Sequence, residues 1–106
     1  MARRVKAHTL PSPGEIIRTL RARRPELRER YGVSALWLFG SYVRGEQGKR
    51  SDLDVLVEFD RTPTLLEFVD LQYYLRDLLG VKVDLVMKKA LKPAIGRRIL
   101  EEAVPV

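Results

Sequence analysis

The chain has 106 residues, no cysteine and a formal charge of +6, with 45% hydrophobic and 32% charged residues. That length suits one domain, which buries roughly two-thirds of its unfolded surface, and the missing cysteine excludes disulfides, thiol chemistry and cysteine-ligated zinc. No apolar run approaches the roughly 18–20 residues that span a bilayer, and MARRVKAHTLPSP lacks a signal-peptide apolar region, so a soluble, cytoplasmic protein is expected.

Residues 1–11 read as a basic tail and residues 12–106 as the single domain. Ser12-Pro13-Gly14-Glu15 is a helix start, with Ser12 as N-cap, Pro13 at the first position and Glu15 closing a capping box. Ile16, Leu20, Leu27 and Tyr31 follow at helical spacing, and Pro25 divides the run into two segments before Gly32 ends it. This stretch carries Arg21, Arg23, Arg24, Arg28 and Arg30. No aromatic residue interleaves them and no nucleic-acid-binding motif accompanies them, so a solvated face is favoured over a nucleic-acid surface.

Val33 to Phe39 is a nearly continuous apolar run bounded by glycines, which suits a central strand covered on both faces. Gly40-Ser41 then turns the chain into a short helix that Gly45 stops, and Glu46 to Ser51 is a polar loop. Leu53 to Phe59 alternates as a strand, with Asp52, Asp54, Leu56 and Glu58 on one face and Leu53, Val55, Val57 and Phe59 on the other. Thr64 and Glu67 form a second capping box, opening a helix to Leu79 with a core stripe of Phe68, Leu71, Leu75, Leu78 and Leu79. A second stripe on that helix, Leu66, Val69 and Tyr73, is expected to be covered by the N-terminal helix, with a partner or homodimer contact as the alternative. Val81 to Met87 alternates again with Asp84 on its polar side, and Pro93 starts a last helix carrying Ile95, Ile99 and Leu100. The order of helices and strands predicts an α/β layer structure around a small sheet, whose strand directions periodicity leaves open.

Two carboxylates one residue apart at the mouth of an apolar strand are costly unless a cation neutralises them. Asp52 and Asp54 project the same way, with Cα atoms about 6.6–7 Å apart. If the Val81–Met87 run pairs with the Leu53–Phe59 strand, Asp84 lies about 4.8 Å to the side. The three could then hold two Mg²⁺ ions about 3.5–4 Å apart, the arrangement used for phosphoryl and nucleotidyl transfer. Gly40, which has no Cβ to hold a phosphate away, and Ser41, a hydroxyl donor, form a candidate phosphate turn. Arg44, one turn on, contacts phosphate or a local acid, and Ser51 caps or orients the aspartate loop. Taken singly, a Gly-Ser turn, an Asp-x-Asp pair or a strand aspartate is ordinary; their joint occurrence points to a metal–triphosphate substrate. A serine nucleophile is not expected, because the only histidine, His8, lies in the tail.

Gly40-Ser41-x-x-Arg44-Gly45, followed by Ser51-Asp52-x-Asp54, resembles the signature of the DNA polymerase β-type nucleotidyltransferases, and most closely the minimal nucleotidyltransferases (MNT). The similarity spans about residues 15–103 by element order. The resemblance implies a mixed sheet with helices packed on it, Asp52 and Asp54 as metal ligands, and Asp84 as the carboxylate that assists deprotonation of the attacking hydroxyl. It further implies Gly40 and Ser41 as the triphosphate holders, ATP as substrate and Mg²⁺ as cofactor. MNT proteins act as antitoxins beside HEPN-type ribonuclease toxins, which implies AMP transfer to a toxin tyrosine. Transfer to a small molecule or RNA end, and a catalytically idle module that neutralises a partner by contact, are the alternatives. A protein partner or a homo-oligomer is expected, nucleic acid and membrane are not.

Overall fold

The computed structural model describes residues 10–45 and 52–106. Helix α1 (Pro13–Ala22) opens as its sequence dictates: Ser12 Oγ accepts from the Glu15 amide, and the Glu15 carboxylate accepts from the Ser12 amide at 2.7 Å. Arg23 interrupts the helical run, and α2 (Arg24–Tyr31) restarts with Pro25 in its first turn, where a missing N–H does no harm. Ile16, Leu20, Leu27 and Tyr31 are buried, so both helices lie on the sheet through the stripe their spacing predicts.

Strands β1 (Val33–Phe39), β2 (Leu53–Phe59), β3 (Val83–Met87) and β4 (Val104–Pro105) form one sheet in the order β3-β2-β1-β4. β1 is antiparallel to β2 and to β4, whereas β2 and β3 run parallel, so the sheet is mixed. The parallel pair follows from its connection: helix α3 (Leu65–Leu79) crosses over between β2 and β3. One face carries Leu36, Leu38, Val55, Val57, Val83 and Leu85, all buried beneath α1, α2 and α3. Fully burying such a side chain stabilises the fold by about 1.5–3 kcal/mol. The opposite face carries Trp37, Phe39, Asp54, Leu56, Asp84 and Val86, which the register sets side by side.

Four expectations change, the smallest being that β3 begins at Val83 rather than at Val81. The two-residue β4 was not foreseen; it contains a proline and is too short to show alternation. After Gly40 the chain forms hydrogen-bonded turns through Gly45 rather than a helix, with Arg44 N–H donating to Gly40 O at 3.4 Å and Gly45 N–H to Tyr42 O at 3.2 Å. The second stripe of α3 is not covered by the N-terminal helices. Leu66 is 81% exposed and Tyr73 54%, with Leu65 and Val69 open beside them. The reason is where α2 meets α3: Tyr31 donates to Asp70 at 2.8 Å and packs at a tilt against Tyr74, and Arg30 lies over both rings, so the contact runs along the Asp70–Tyr74 side. Helix α4 (Pro93–Glu102) is amphipathic yet buries no residue fully. A 3-10 turn (Lys88–Ala90) joins β3 to the segment before it. None of the described helices is long and apolar enough to cross a membrane.

Candidate active site

The site grows from the start of β2. Leu53 and Val55 are fully buried on the helix side, which forces Asp54 to the opposite face. Leu53 N–H donates to Lys82 O at 2.8 Å, pinning the mouth of β2 to the residue before β3. The parallel register then sets Asp54 directly opposite Asp84, and the antiparallel register sets Asp54 opposite Phe39. The lateral placement expected of Asp84 is therefore what the backbone shows.

Gly40 comes next after Phe39 with φ at +85°, a conformation that residues with a Cβ seldom adopt. The Asp54 carboxylate lies against it, so a Cβ at Gly40 would overlap Asp54 Oδ2 and stand 3.1 Å from its Cγ. The glycine is needed for the carboxylate as well as for the turn. Ser41, half-buried, follows on the same turn.

Burial raises the Asp54 carboxyl above its ordinary range; the charges of Asp84 and then Asp52 push it further up, and Arg44 opposes them. Two acidic neighbours thus act on Asp54, opposed among the described residues by Arg44. The donors are all hard oxygens, which suits Mg²⁺. Asp54 and Asp84 are the pair set in register, while Asp52 is exposed at the strand mouth. Among the described residues no three acidic or histidine side chains close into a metal-holding group. Carboxylates that repel one another have no reason to close without a cation between them. Ser51 lies outside the described residues, as do the Glu46–Ser51 loop and His8.

Arg44 takes the local-acid option, pairing with Glu102 at the end of α4 with Nη1–Oε1 at 2.9 Å. Sequence reasoning missed Glu102, because nothing in a one-dimensional pattern links positions 44 and 102. It also assigned no role to Tyr42. That ring is fully buried, and its hydroxyl donates to Pro11 O at 2.6 Å, tying the Gly40–Gly45 turn to the residue preceding the α1 cap. A large aromatic inside a glycine-bounded turn was the available signal. A groove of about 320 Å³ between α2 and β1, lined by Arg24, Arg28, Leu27 and Leu36, gathers no acidic residue and lies toward the other end of β1.

Known proteins resemble the chain over most of its length. The family description "Nucleotidyltransferase domain" matches residues 20–106. A protein of Thermococcus cleftensis named protein adenylyltransferase MntA is 52% identical over 92 residues, covering 87% of this chain and 93% of that protein. A solved structure assigned to the minimal nucleotidyltransferases is similar with a TM-score of 0.70 at 43% identity, covering 85% of this chain and 95% of the other. A toxin–antitoxin structure with AMP-PNP is similar with a TM-score of 0.66 at 25% identity, covering 77% of this chain and 67% of the other.

Proposed function

The chain belongs to the nucleotidyltransferase-domain family, and from that premise we propose that it transfers AMP from ATP to a protein partner, the tyrosine of a HEPN-type ribonuclease toxin, and so acts as an antitoxin. The observation that carries this reading is the pairing of Asp54 with Asp84 in register beside Gly40, an acidic pair set against a candidate phosphate turn. The relative named a protein adenylyltransferase supports the choice of AMP and of a protein acceptor. The toxin–antitoxin structure with AMP-PNP supports both the nucleotide and the class of partner.

Asp52, Asp54 and Asp84 are the residues that would hold Mg²⁺, two ions in the reading the sequence suggests. When bound, the metal supplies charge neutralisation on the phosphates and a fixed template for in-line displacement. Gly40 and Ser41 receive the triphosphate on their turn, with Ser51 orienting the aspartate loop and Arg44 available to phosphate. Asp84 accepts the proton of the tyrosine hydroxyl on a carboxylate oxygen. The tyrosine oxygen forms a bond to the α-phosphorus, the bond from that phosphorus to the α,β-bridging oxygen breaks, and pyrophosphate leaves with the electron pair.

The test is the intact mass of a HEPN-type ribonuclease after incubation with this protein, ATP and Mg²⁺. The reading requires an added AMP mass that maps to tyrosine and is absent with the Asp54→Asn variant. Neutralisation of the ribonuclease at unchanged mass would replace it with inhibition by contact. AMP appearing on an RNA end or a small molecule instead would redirect the acceptor class.

A further inference from the structure

Arg44 occupies a position between two acids. Its guanidinium bonds Glu102 at 2.9 Å, and its charge also acts on Asp54. Its backbone belongs to the Gly40–Gly45 turn, through the bond from Arg44 N–H to Gly40 O. Glu102 arrives at the β4 edge of the sheet. It is the last residue of α4, and two residues later Val104 pairs with Leu38, two residues before Gly40. Glu102 is therefore an acidic group bonded to a residue of the Gly40–Gly45 turn, delivered by a helix that buries none of its residues fully.

We propose that Glu102 acts through Arg44: it holds the Arg44 guanidinium beside the Gly40–Ser41 turn while the site lacks nucleotide, and it yields that guanidinium to the triphosphate when nucleotide enters. The proposal rests on the nucleotidyltransferase reading and adds to it a resting partner for Arg44.

The strength of the contact suits an exchangeable one. The two side chains are 49% and 53% exposed, and ion pairs so open to water contribute little. A triphosphate carries more charge than one carboxylate and accepts two parallel bonds from a guanidinium, so it outcompetes Glu102. Arg44 stays in reach of the site throughout, because its backbone is fixed by the turn and Tyr42 anchors that turn to Pro11. Once Arg44 leaves, the C-terminal turn of α4 loses its side-chain tie to the Gly40–Gly45 turn, while the pairing of Val104 with Leu38 stays.

The test uses α,β-methylene-ATP with Mg²⁺, which binds but cannot release pyrophosphate, titrated calorimetrically into wild type, Glu102→Gln, Arg44→Gln and the double variant. Glu102→Gln should bind about fivefold tighter than wild type, since a competitor of ordinary surface strength has gone. In the Arg44→Gln background the same substitution should change affinity less than twofold. Unchanged or weaker binding by Glu102→Gln overturns the proposal. So does an equal gain in the Arg44→Gln background, which would mean plain charge repulsion rather than action through Arg44. Amide exchange on the unmodified protein gives an independent reading: nucleotide should speed exchange in residues 99–102, and no change or slower exchange there counts against release of α4. A wild type that binds no nucleotide overturns the nucleotidyltransferase reading itself, and this proposal with it.

Discussion

The two ends of the β2–β3 ladder carry charge in opposite ways on the same face. At the far end, Glu58 meets Lys88 at 3.5 Å, one step beyond the Val57–Met87 pair, and Lys88 lies over the Trp37 ring at 5.1 Å. At the near end, Asp54 meets Asp84. The far end is satisfied within the chain: an acid has its base, and the base has an aromatic face. The near end sets like charges together, half-buries one, and supplies Arg44, itself bonded to Glu102. A fold that can pair charges across one end of a ladder has no structural need to oppose carboxylates at the other. Among the described residues the acidic end has Arg44 as the cation acting on Asp54, which is the arrangement expected under the proposed function if a bound ligand brings positive charge.

The comparison breaks first at Asp54. Asp54→Asn should lower nucleotide transfer by about 10³-fold or more, because under the proposed function the residue would hold the cation, and it sits at the centre of the charge cluster. Its stability should change in the other direction. Because the folded-state value of Asp54 is raised, the folded protein binds more protons than the unfolded chain between the two values. Its contribution to stability is therefore lost as pH rises through that window. The metal-free Asp54→Asn variant should melt above wild type at neutral pH, with the gap closing as pH falls below the window. A variant that melts lower at neutral pH would make Asp54 a structural residue.

Asp84 comes next. Asp84→Asn should bind nucleotide within a few-fold of wild type while its transfer rate falls about 10²-fold, the signature of lost general-base help. Transfer at the wild-type rate would reduce Asp84 to a surface aspartate. Gly40→Ala sharpens the same end by sterics. The left-handed backbone costs an alanine about 1–2 kcal/mol, and its methyl displaces the Asp54 carboxylate, so stability and transfer should both fall. Unfolding in urea with a parallel transfer assay would show both losses; wild-type transfer would mean that the Asp54 contact has no functional part. The satisfied end provides the contrast. Lys88→Met should cost only about 0–1 kcal/mol and leave transfer unchanged, as an exposed pair remote from the chemistry should.

What the sequence made legible was whatever depends on near neighbours. Ser12 with Glu15 and Thr64 with Glu67 cap their helices as their spacing requires, and the two-residue period of a strand sets Asp54 against the helix-facing Leu53 and Val55. The break near Pro25 is likewise local. The candidate site residues could be placed on one face and one turn because strand parity and a glycine–serine turn are local as well. What stayed hidden joins distant segments. Glu102 meets Arg44 across 58 positions, Tyr42 finds Pro11 across 31, and β4 forms only because β1 offers it an edge. The exposed stripe of α3 was misjudged for the same reason: periodicity shows that Leu66, Val69 and Tyr73 share a face, and only packing shows that α2 meets α3 elsewhere.

The most direct measurement is the affinity of the protein for ATP with Mg²⁺ and with EDTA, by calorimetry on the intact chain. Under the proposed function, opposed carboxylates at the near end should repel an unescorted triphosphate and favour one that arrives with a divalent cation. The account predicts markedly tighter binding with Mg²⁺, and loss of that difference in Asp54→Asn. Equal affinity in both conditions would contradict it, because the acidic pair beside Gly40 would then have no part in receiving the nucleotide.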